Sequence, residues 1–182
     1  MNVTKQIKSK HRVTEFGEVN TSFQTIENII NLVDNEAMRY DSKILDPACG
    51  DGNFLLALLE RKLVSFEAQP YKNTLLYEKK LMITLGSIYG IDKLKDNVIE
   101  ARTRILKRFS DAYARLFHSE VKKHTIRSAE YIVSKNIIFG DAITLENYES
   151  GNEIIFSEWV FSNMQINKID HRIKDLLNHS RT

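Results

Sequence analysis

The stretch from residue 43 to residue 59 constrains the fold more than any other part of the chain. A short apolar run, Lys43-Ile44-Leu45, is followed by Asp-Pro and by a turn that contains Gly50 and Gly52. Apolar residues then recur at helical spacing, at Phe54, Leu55, Leu58 and Leu59. This order predicts a strand, a tight loop and a helix, because glycine and proline mark turns and apolar spacing distinguishes helices from strands.

The rest of the chain repeats this alternation of helix and strand. A Thr-x-x-Gln capping box at 21–24 and the apolar residues after it predict a helix from about 22 to 38. Apolar patterns predict further helices over 66–86, 94–117 and around 126–133, and further strands over 87–91, 136–139 and 153–156. We therefore expect an α/β fold with a Rossmann-like start, in which helices cover both faces of a parallel sheet.

Length and composition limit the remaining choices. The 182 residues suit one domain, which we place at 21–182, after a basic arm at 1–20 without apolar periodicity. One cysteine excludes an internal disulfide, and five histidines without ligand spacing predict no metal site. No apolar run approaches the ~20 residues of a membrane span, so we expect a soluble, cytoplasmic protein that does not bind membranes.

The predicted strands end in carboxylates, at Asp46, Asp92 and Asp141. A ligand of an open α/β sheet binds beyond the carboxyl ends of its strands. A dinucleotide-binding loop would carry a third glycine where this chain has Leu55. Asp46 disfavours a diphosphate but suits the ammonium and sulfonium groups of S-adenosylmethionine (SAM). In the alternative interpretation the aspartates cap helices and the glycines only form a turn.

Four segments resemble, in order, motifs of the gamma-class DNA adenine N6 methyltransferases of restriction-modification systems. Asp46-Pro47-Ala48-Cys49-Gly50-Asp51-Gly52-Asn53-Phe54-Leu55 looks like motif I of that family. Tyr89-Gly90-Ile91-Asp92 is similar to motif II, and Asn136-Ile137-Ile138-Phe139-Gly140-Asp141-Ala142 to motif III. Upstream, Phe16-Gly17-Glu18-Val19-Asn20-Thr21-Ser22 resembles the Gly-x-x-x-Thr-Pro segment of the family, with Ser22 in place of proline.

This resemblance implies a SAM-dependent methyltransferase fold, SAM as the cofactor and DNA as the substrate. In the family these motifs hold the cofactor. The residues that the resemblance assigns to cofactor binding are Thr21, Asp46, Pro47, Ala48, Gly50, Gly52, Asn53, Phe54, Asp92, Asp141 and Ala142.

The motif that activates adenine in the family has no clear counterpart. There, Asn/Asp/Ser-Pro-Pro-Tyr/Phe follows the fourth strand, and it orients the amine of a flipped-out base. Here the same place holds Ser157-Glu158-Trp159-Val160, and the two prolines of the chain, Pro47 and Pro70, lie elsewhere. Ser157 and Trp159 are the candidate catalytic residues of a divergent base pocket. In the alternative interpretation Trp159 belongs to the core and Glu158 is a solvated charge.

The expected fold is also shorter than that of the family. Family members have three more strands and usually a target-recognition domain, whereas residues 157–182 leave no room for either. We therefore expect an incomplete parallel sheet whose fourth strand, beside the first, needs a cover at its free edge. The candidates are a helix at 166–177, another copy of the chain, or a companion polypeptide.

Three functions are compatible with these residues. The leading hypothesis is a site-specific DNA adenine methyltransferase, or the SAM-binding part of one that a companion subunit completes. Its rival is a non-catalytic SAM- or DNA-binding module, a degenerate or truncated methyltransferase. The third is a methyltransferase for a small molecule or a protein, because motif I does not identify the acceptor. Whether the chain transfers a methyl group alone is left open by its sequence.

Overall fold

The computed structural model describes residue 14 and residues 21–68, 74–117, 121–162 and 165–175. Apart from Thr14, the predicted basic arm lies outside these residues. The helices are α1 (Phe23–Leu32), α2 (Asp34–Met38), α3 (Asn53–Glu67), α4 (Thr74–Gly86), α5 (Lys95–Phe117) and α6 (Lys123–Asn136). The strands are β1 (Ile44–Asp46), β2 (Ile88–Asp92), β3 (Ile137–Asp141), β4 (Glu146–Asn147), β5 (Asn152–Glu153), β6 (Ile155–Ser162) and β7 (Gln165–Arg172). None of the described helices is long and apolar enough to cross a membrane.

The helix predicted from about 22 to 38 is divided in two at Val33. Ser22 is the N-cap of α1 and its side chain accepts a hydrogen bond from the backbone N–H of Thr25, so the start near residue 22 is confirmed, whereas the cap is not Thr21 of the predicted capping box. Val33 ends α1 with a non-helical φ of −118°, and α2 begins at the next residue. Asp34 and Glu36 lie in the first turn of α2, where the helix dipole favours carboxylates, so this stretch suits a new helix start.

The main sheet is mixed, with the strand order β1-β2-β3-β4-β5. Strands β1, β2 and β3 are parallel neighbours, as predicted from the alternation of helix and strand. The two-residue strands β4 and β5 are antiparallel to their neighbours. The predicted fourth parallel strand at 153–156 is wrong, because this stretch is divided between β5 and β6 and does not pair with β1.

Strands β6 and β7 form a separate antiparallel hairpin. The helix predicted at 166–177 is wrong over residues 166–172, which belong to β7 and pair with β6; residues 173–175 are helical, and residues 176 and 177 lie outside the described part. Trp159 of β6 packs against Gly86, and its indole N–H donates to the Asn136 amide oxygen at 2.9 Å. These long-range contacts fix β6 on the helices and provide β7 with a partner, which overrides the helical spacing of its isoleucines.

The helices lie on one face of the parallel strands. Ile88 and Ile137 belong to the large core cluster that all six helices build. Tyr89, Ile91 and Ile138 belong instead to a small cluster with three later residues, Ile154, Phe156 and Ile173. Right-handed crossovers that always step in the same direction across a sheet place their helices on the same side. Among the described residues α1 to α6 therefore lie on one face, and the second face is covered by the chain after β5, where Ile173 begins a helical turn.

A buried lysine fixes the chain just before β1. Lys62 of α3 has no exposed surface, and its amine donates hydrogen bonds of 2.7 Å to the carbonyl oxygens of Arg39 and Ser42. Burial lowers the pKa of Lys62 to about 8, although the nearby carboxylates of Asp41 and Glu36 oppose the shift. The entry to β1 therefore depends on an amine that pays a desolvation cost when it is charged.

We expect the stability of the protein to contain a pH-dependent contribution from Lys62. Between pH 8 and the ordinary lysine pKa of 10.5 the unfolded chain binds more protons than the folded one, so this contribution rises with pH. It amounts to roughly 3 kcal/mol across that window. Urea unfolding at several pH values, compared with the Lys62→Met variant, measures it. Parallel pH profiles for the two proteins would contradict the assignment.

Candidate cofactor site

Three carboxylates gather where the parallel strands end. Asp46, Asp92 and Asp141 are the last residues of β1, β2 and β3. Because these strands are parallel neighbours, their carboxyl ends meet at the same edge of the sheet. The edge is therefore rich in negative charge, and it is built from the residues that the sequence singled out.

The loop after β1 crosses over the end of β2. The backbone N–H of Cys49 donates to the Ile91 carbonyl at 2.9 Å, and that of Gly50 donates to Oδ2 of Asp92 at 2.9 Å. Asp46 stabilises the start of the loop, since its Oδ1 accepts from the Ala48 N–H at 3.1 Å. Pro47 and Ala48 are exposed at the top of the turn. The loop is thus held by hydrogen bonds from both strands.

Glycines make this loop geometry accessible. Gly50 and Gly52 have φ values of +53° and +87°, a region that L side chains rarely adopt. A Cβ at Gly50 would meet open space, whereas a Cβ at Gly52 would lie 3.0 Å from the Cβ of Ala101. At Gly90, a Cβ would lie 2.9 Å from the Cys49 sulfur, so this glycine lets the loop pack directly on β2.

Asp92 already has several partners within the protein. Its Oδ1 accepts from the Leu94 N–H at 2.9 Å and from the Asn97 amide at 3.3 Å, while Oδ2 accepts from Gly50. A carboxylate offers about four lone-pair positions, so a further acceptor position remains on Oδ2. Asp92 therefore has a structural role at the start of α5, and this role leaves room for contact with a ligand.

Burial and charge act together on Asp46 and Cys49. Burial raises the pKa of Asp46, and the neighbouring Asp92 carboxylate adds to that shift, while the hydrogen bond from Ala48 opposes it. The pKa of the buried Cys49 thiol is raised strongly, first by burial and then by Asp46 and Asp92. Cys49 is consequently a protonated packing residue rather than a nucleophile.

The third carboxylate, Asp141, is buried and paired. Lys93 places its Nζ 2.8 Å from Oδ2, and the Ile143 N–H donates to Oδ1 at 2.7 Å. The pairing with Lys93 is the main reason that the pKa of Asp141 lies below its usual range. Ala142 follows, half-buried, at the start of the next turn. The Lys93 amine thus occupies an acceptor oxygen of Asp141, a residue that the resemblance assigned to cofactor binding.

Arg104 of α5 is a residue of this region that the sequence did not reveal. Its guanidinium donates to the Asp51 carbonyl and to Oδ1 of Asn53, both at 2.8 Å, and pairs with the Asp51 carboxylate. These contacts join residues about fifty positions apart, so no local motif signals them. Phe54, beside Asn53, packs partly buried against the large core cluster. The start of α3 is therefore held by Arg104 and by the packing of Phe54 against the core.

Other predicted site residues lie away from these carboxylates. The structure gives Thr21 an exposed position just before α1, with no contact to the loop among the described residues. Ser157 is buried, and its hydroxyl donates to Asp170 of β7 at 2.9 Å. Trp159 is buried against Gly86 and Asn136, which directly precede β2 and β3. Ser157 and Trp159 are therefore not brought together with the aspartates at the strand ends.

Comparisons of the chain with protein-family models, with curated proteins and with solved structures each find no match. Among the described residues there is also no group of three His, Cys, Asp or Glu side chains that could hold a metal ion.

We expect Gly52→Ala to destabilise the protein more than Gly50→Ala. Both variants place a side chain in a left-handed conformation, which costs about 1 kcal/mol. Only Gly52→Ala also forces a Cβ against the backbone of α5 at Ala101, so its total cost is about 2–4 kcal/mol. Urea unfolding of the two variants measures the difference. Equal losses of stability would show that α5 yields at this contact.

Proposed function

We propose that the carboxyl ends of β1, β2 and β3 bind SAM, within a Rossmann-like SAM-dependent methyltransferase fold. In this proposal the chain is a DNA adenine N6 methyltransferase of the restriction-modification type, or the SAM-binding part of one. The observation that carries this proposal is the hydrogen bond from the Gly50 N–H to the Asp92 carboxylate. A second carboxylate, that of Asp46, lies near Asp92.

The charges of this edge fit SAM better than a phosphorylated cofactor. SAM carries an ammonium and a sulfonium, and both are favoured beside ionised carboxylates. Burial and the neighbouring Asp92 carboxylate disfavour the ionised form of Asp46. A cation near Asp46 would reduce this free-energy cost. A diphosphate would instead add negative charge to a site with two carboxylates.

The shape of the loop fits a ligand that approaches the backbone. At Gly50 the position of a Cβ faces open space, so a ligand could lie against the peptide there. The remaining acceptor position on Asp92 suits a ribose hydroxyl. At Asp141, an adenine amino group would have to displace the Lys93 amine, and the half-exposed Lys93 side chain can turn into solvent. SAM would therefore contact Asp46, the loop and Asp92 without displacing any group, whereas contact with Asp141 would require Lys93 to move.

Bound SAM would supply an electrophilic methyl group, and the described residues at this edge would hold and orient it. None of the three aspartates offers the arrangement that orients an adenine amine in the family. Trp159 lies beside Gly86 and Asn136, which directly precede β2 and β3, and the polar groups of Ser157 and Trp159 are engaged by Asp170 and Asn136. This placement favours a second candidate function, a non-catalytic SAM- or DNA-binding module, over independent catalysis by the chain.

We expect SAM to bind saturably, and Asp92→Asn and Asp46→Asn each to weaken binding by about tenfold or more, since each variant removes a charge beside the cofactor. Affinity should also fall in acid as Asp46 is protonated, at a higher pH than for an ordinary aspartate. Isothermal titration calorimetry measures both effects. Asp111→Asn, which removes an exposed carboxylate paired with Lys107 on α5, is the matched control. Unchanged affinity in both site variants would refute the site.

We expect the purified chain to transfer no methyl group to unmethylated DNA by itself, because no adenine-orienting residues lie at the site. Labelled SAM and DNA, with and without an extract of the source cell, test this. A signal that needs the chain and is lost with Asp92→Asn identifies the SAM-binding part of a larger enzyme. Absence of transfer in both conditions supports the non-catalytic module. Transfer by the chain alone would contradict our interpretation of Ser157 and Trp159.

A further inference from the structure

A second concave surface lies between α4, α6 and β7. We call it the basic groove and define it by six of its lining residues: Lys79 and Met82 of α4, His124, Arg127 and Tyr131 of α6, and Lys168 of β7. Its volume is about 630 Å³, within the range of small-molecule sites. Trp159, which packs beside the amino ends of β2 and β3, also lines it, so the groove is remote from the aspartates at the carboxyl ends.

Three of the four basic residues that define the groove lack an ion pair among the described residues, whereas Lys168 pairs with Asp170. Lys79, His124 and Arg127 form no ion pair with any residue that the structure describes. Most described arginines do form ion pairs: Arg39, Arg61, Arg102, Arg104, Arg108 and Arg115. Arg172, exposed on β7, resembles Arg127 in having none among the described residues, but it does not line the groove.

The acidic residues around the groove are already neutralised. Glu78 lies in its wall, and its carboxylate accepts from the Tyr113 and Thr125 hydroxyls at 2.7 Å and from Lys122 at 2.8 Å. Asp170, near the rim, pairs with Lys168 at 2.9 Å. With these two carboxylates engaged, the positive charge of Lys79 and Arg127 is left facing the groove. The local field therefore attracts an anion.

The groove also presents an aromatic ring. Tyr131 is 48% exposed and meets Trp159 edge to face, with ring centroids 5.9 Å apart. Lys135, one turn further along α6, places its Nζ 5.5 Å from the centroid of the Tyr131 ring. A half-exposed ring held by a second ring is a platform on which a planar base can stack. Cations and a stacking ring in one groove are the combination that recognises nucleotides.

We propose that the basic groove binds a phosphate ester that carries a planar base, with the phosphate between Lys79 and Arg127 and the base on Tyr131. A free nucleotide and a nucleotide within a single strand share this chemistry. The groove goes beyond the proposed SAM function, since its residues touch neither the glycine loop nor the three aspartates.

The test uses the intact chain and three probes: AMP, inorganic phosphate and fluorescein-labelled decathymidylate, at about 50 mM salt. We expect saturable binding of AMP or of the strand by calorimetry or fluorescence anisotropy. Lys79→Ala/Arg127→Ala should weaken it at least about tenfold and reduce the slope of log K against log salt for the strand by about 0.7, which corresponds to the loss of one phosphate contact. Arg172→Ala, the matched control, should stay within about twofold of the unchanged protein.

A further variant tests the stacking platform. Tyr131→Leu should weaken AMP or strand binding by about tenfold and leave any binding of inorganic phosphate unchanged.

Binding of AMP that competes with the strand identifies a single nucleotide as the ligand, whereas binding of the strand alone identifies a single-stranded nucleic acid; both support the proposal. The proposal is overturned if neither probe binds, or if the double variant or Tyr131→Leu binds as well as the unchanged protein. We expect the affinity of the same variants for SAM to equal that of the unchanged protein. A failure of the groove proposal can therefore be distinguished from a failure of the SAM proposal.

Discussion

The structure depends on the way in which the loop after β1 is tied to β2. Two backbone N–H groups, of Cys49 and Gly50, donate to acceptors at the end of β2, and Gly90 provides the space for Cys49 to lie against that strand. Together with the hydrogen bonds from Arg104 to Asp51 and Asn53, these contacts fix the start of α3. The hydrogen bonds from the loop to β2 bring Asp46 and Asp92 together, so the arrangement that orders the sheet also concentrates its charge.

The direction of the crossovers explains the rest of the architecture. Each connection from β1 to β2 to β3 moves one strand further in the same sense, and the helices consequently collect on one face. Within the part of the chain that the structure describes, the second face carries the small apolar cluster that includes Phe156 of β6, while Trp159 of the same strand packs into the large cluster. Among the described residues β1 pairs only with β2, and Leu45 of β1 is 40% exposed. Leu45 lines a cavity of about 230 Å³ together with Tyr89, Phe156 and Ile173, so the chain after β5 reaches this side of β1.

Parts of the fold that depend on neighbouring residues could be predicted from the sequence, whereas parts that depend on contacts between distant residues could not. The strand-loop-helix unit around Gly50 and Gly52 could be predicted because adjacent residues decide it. The partner of residues 153–162 could not, since β6 is held by Asn136 and Gly86, which are distant in sequence. The strand ends at Asp46, Asp92 and Asp141 were correct for the same local reason. Arg104 and the Lys93 pairing were missed, because both arise from contacts across the fold.

Cys49 gives the loop a built-in reporter. It is the only cysteine in the sequence, it is 5% exposed, and its sulfur lies directly beneath the glycine turn. A thiol in that position reacts with an alkylating reagent only when the turn lifts from β2, so its rate of modification follows the opening equilibrium of the loop. A ligand that holds the turn down would slow that reaction, and the chemistry of a single sulfur would then record the occupancy of the whole strand-end edge.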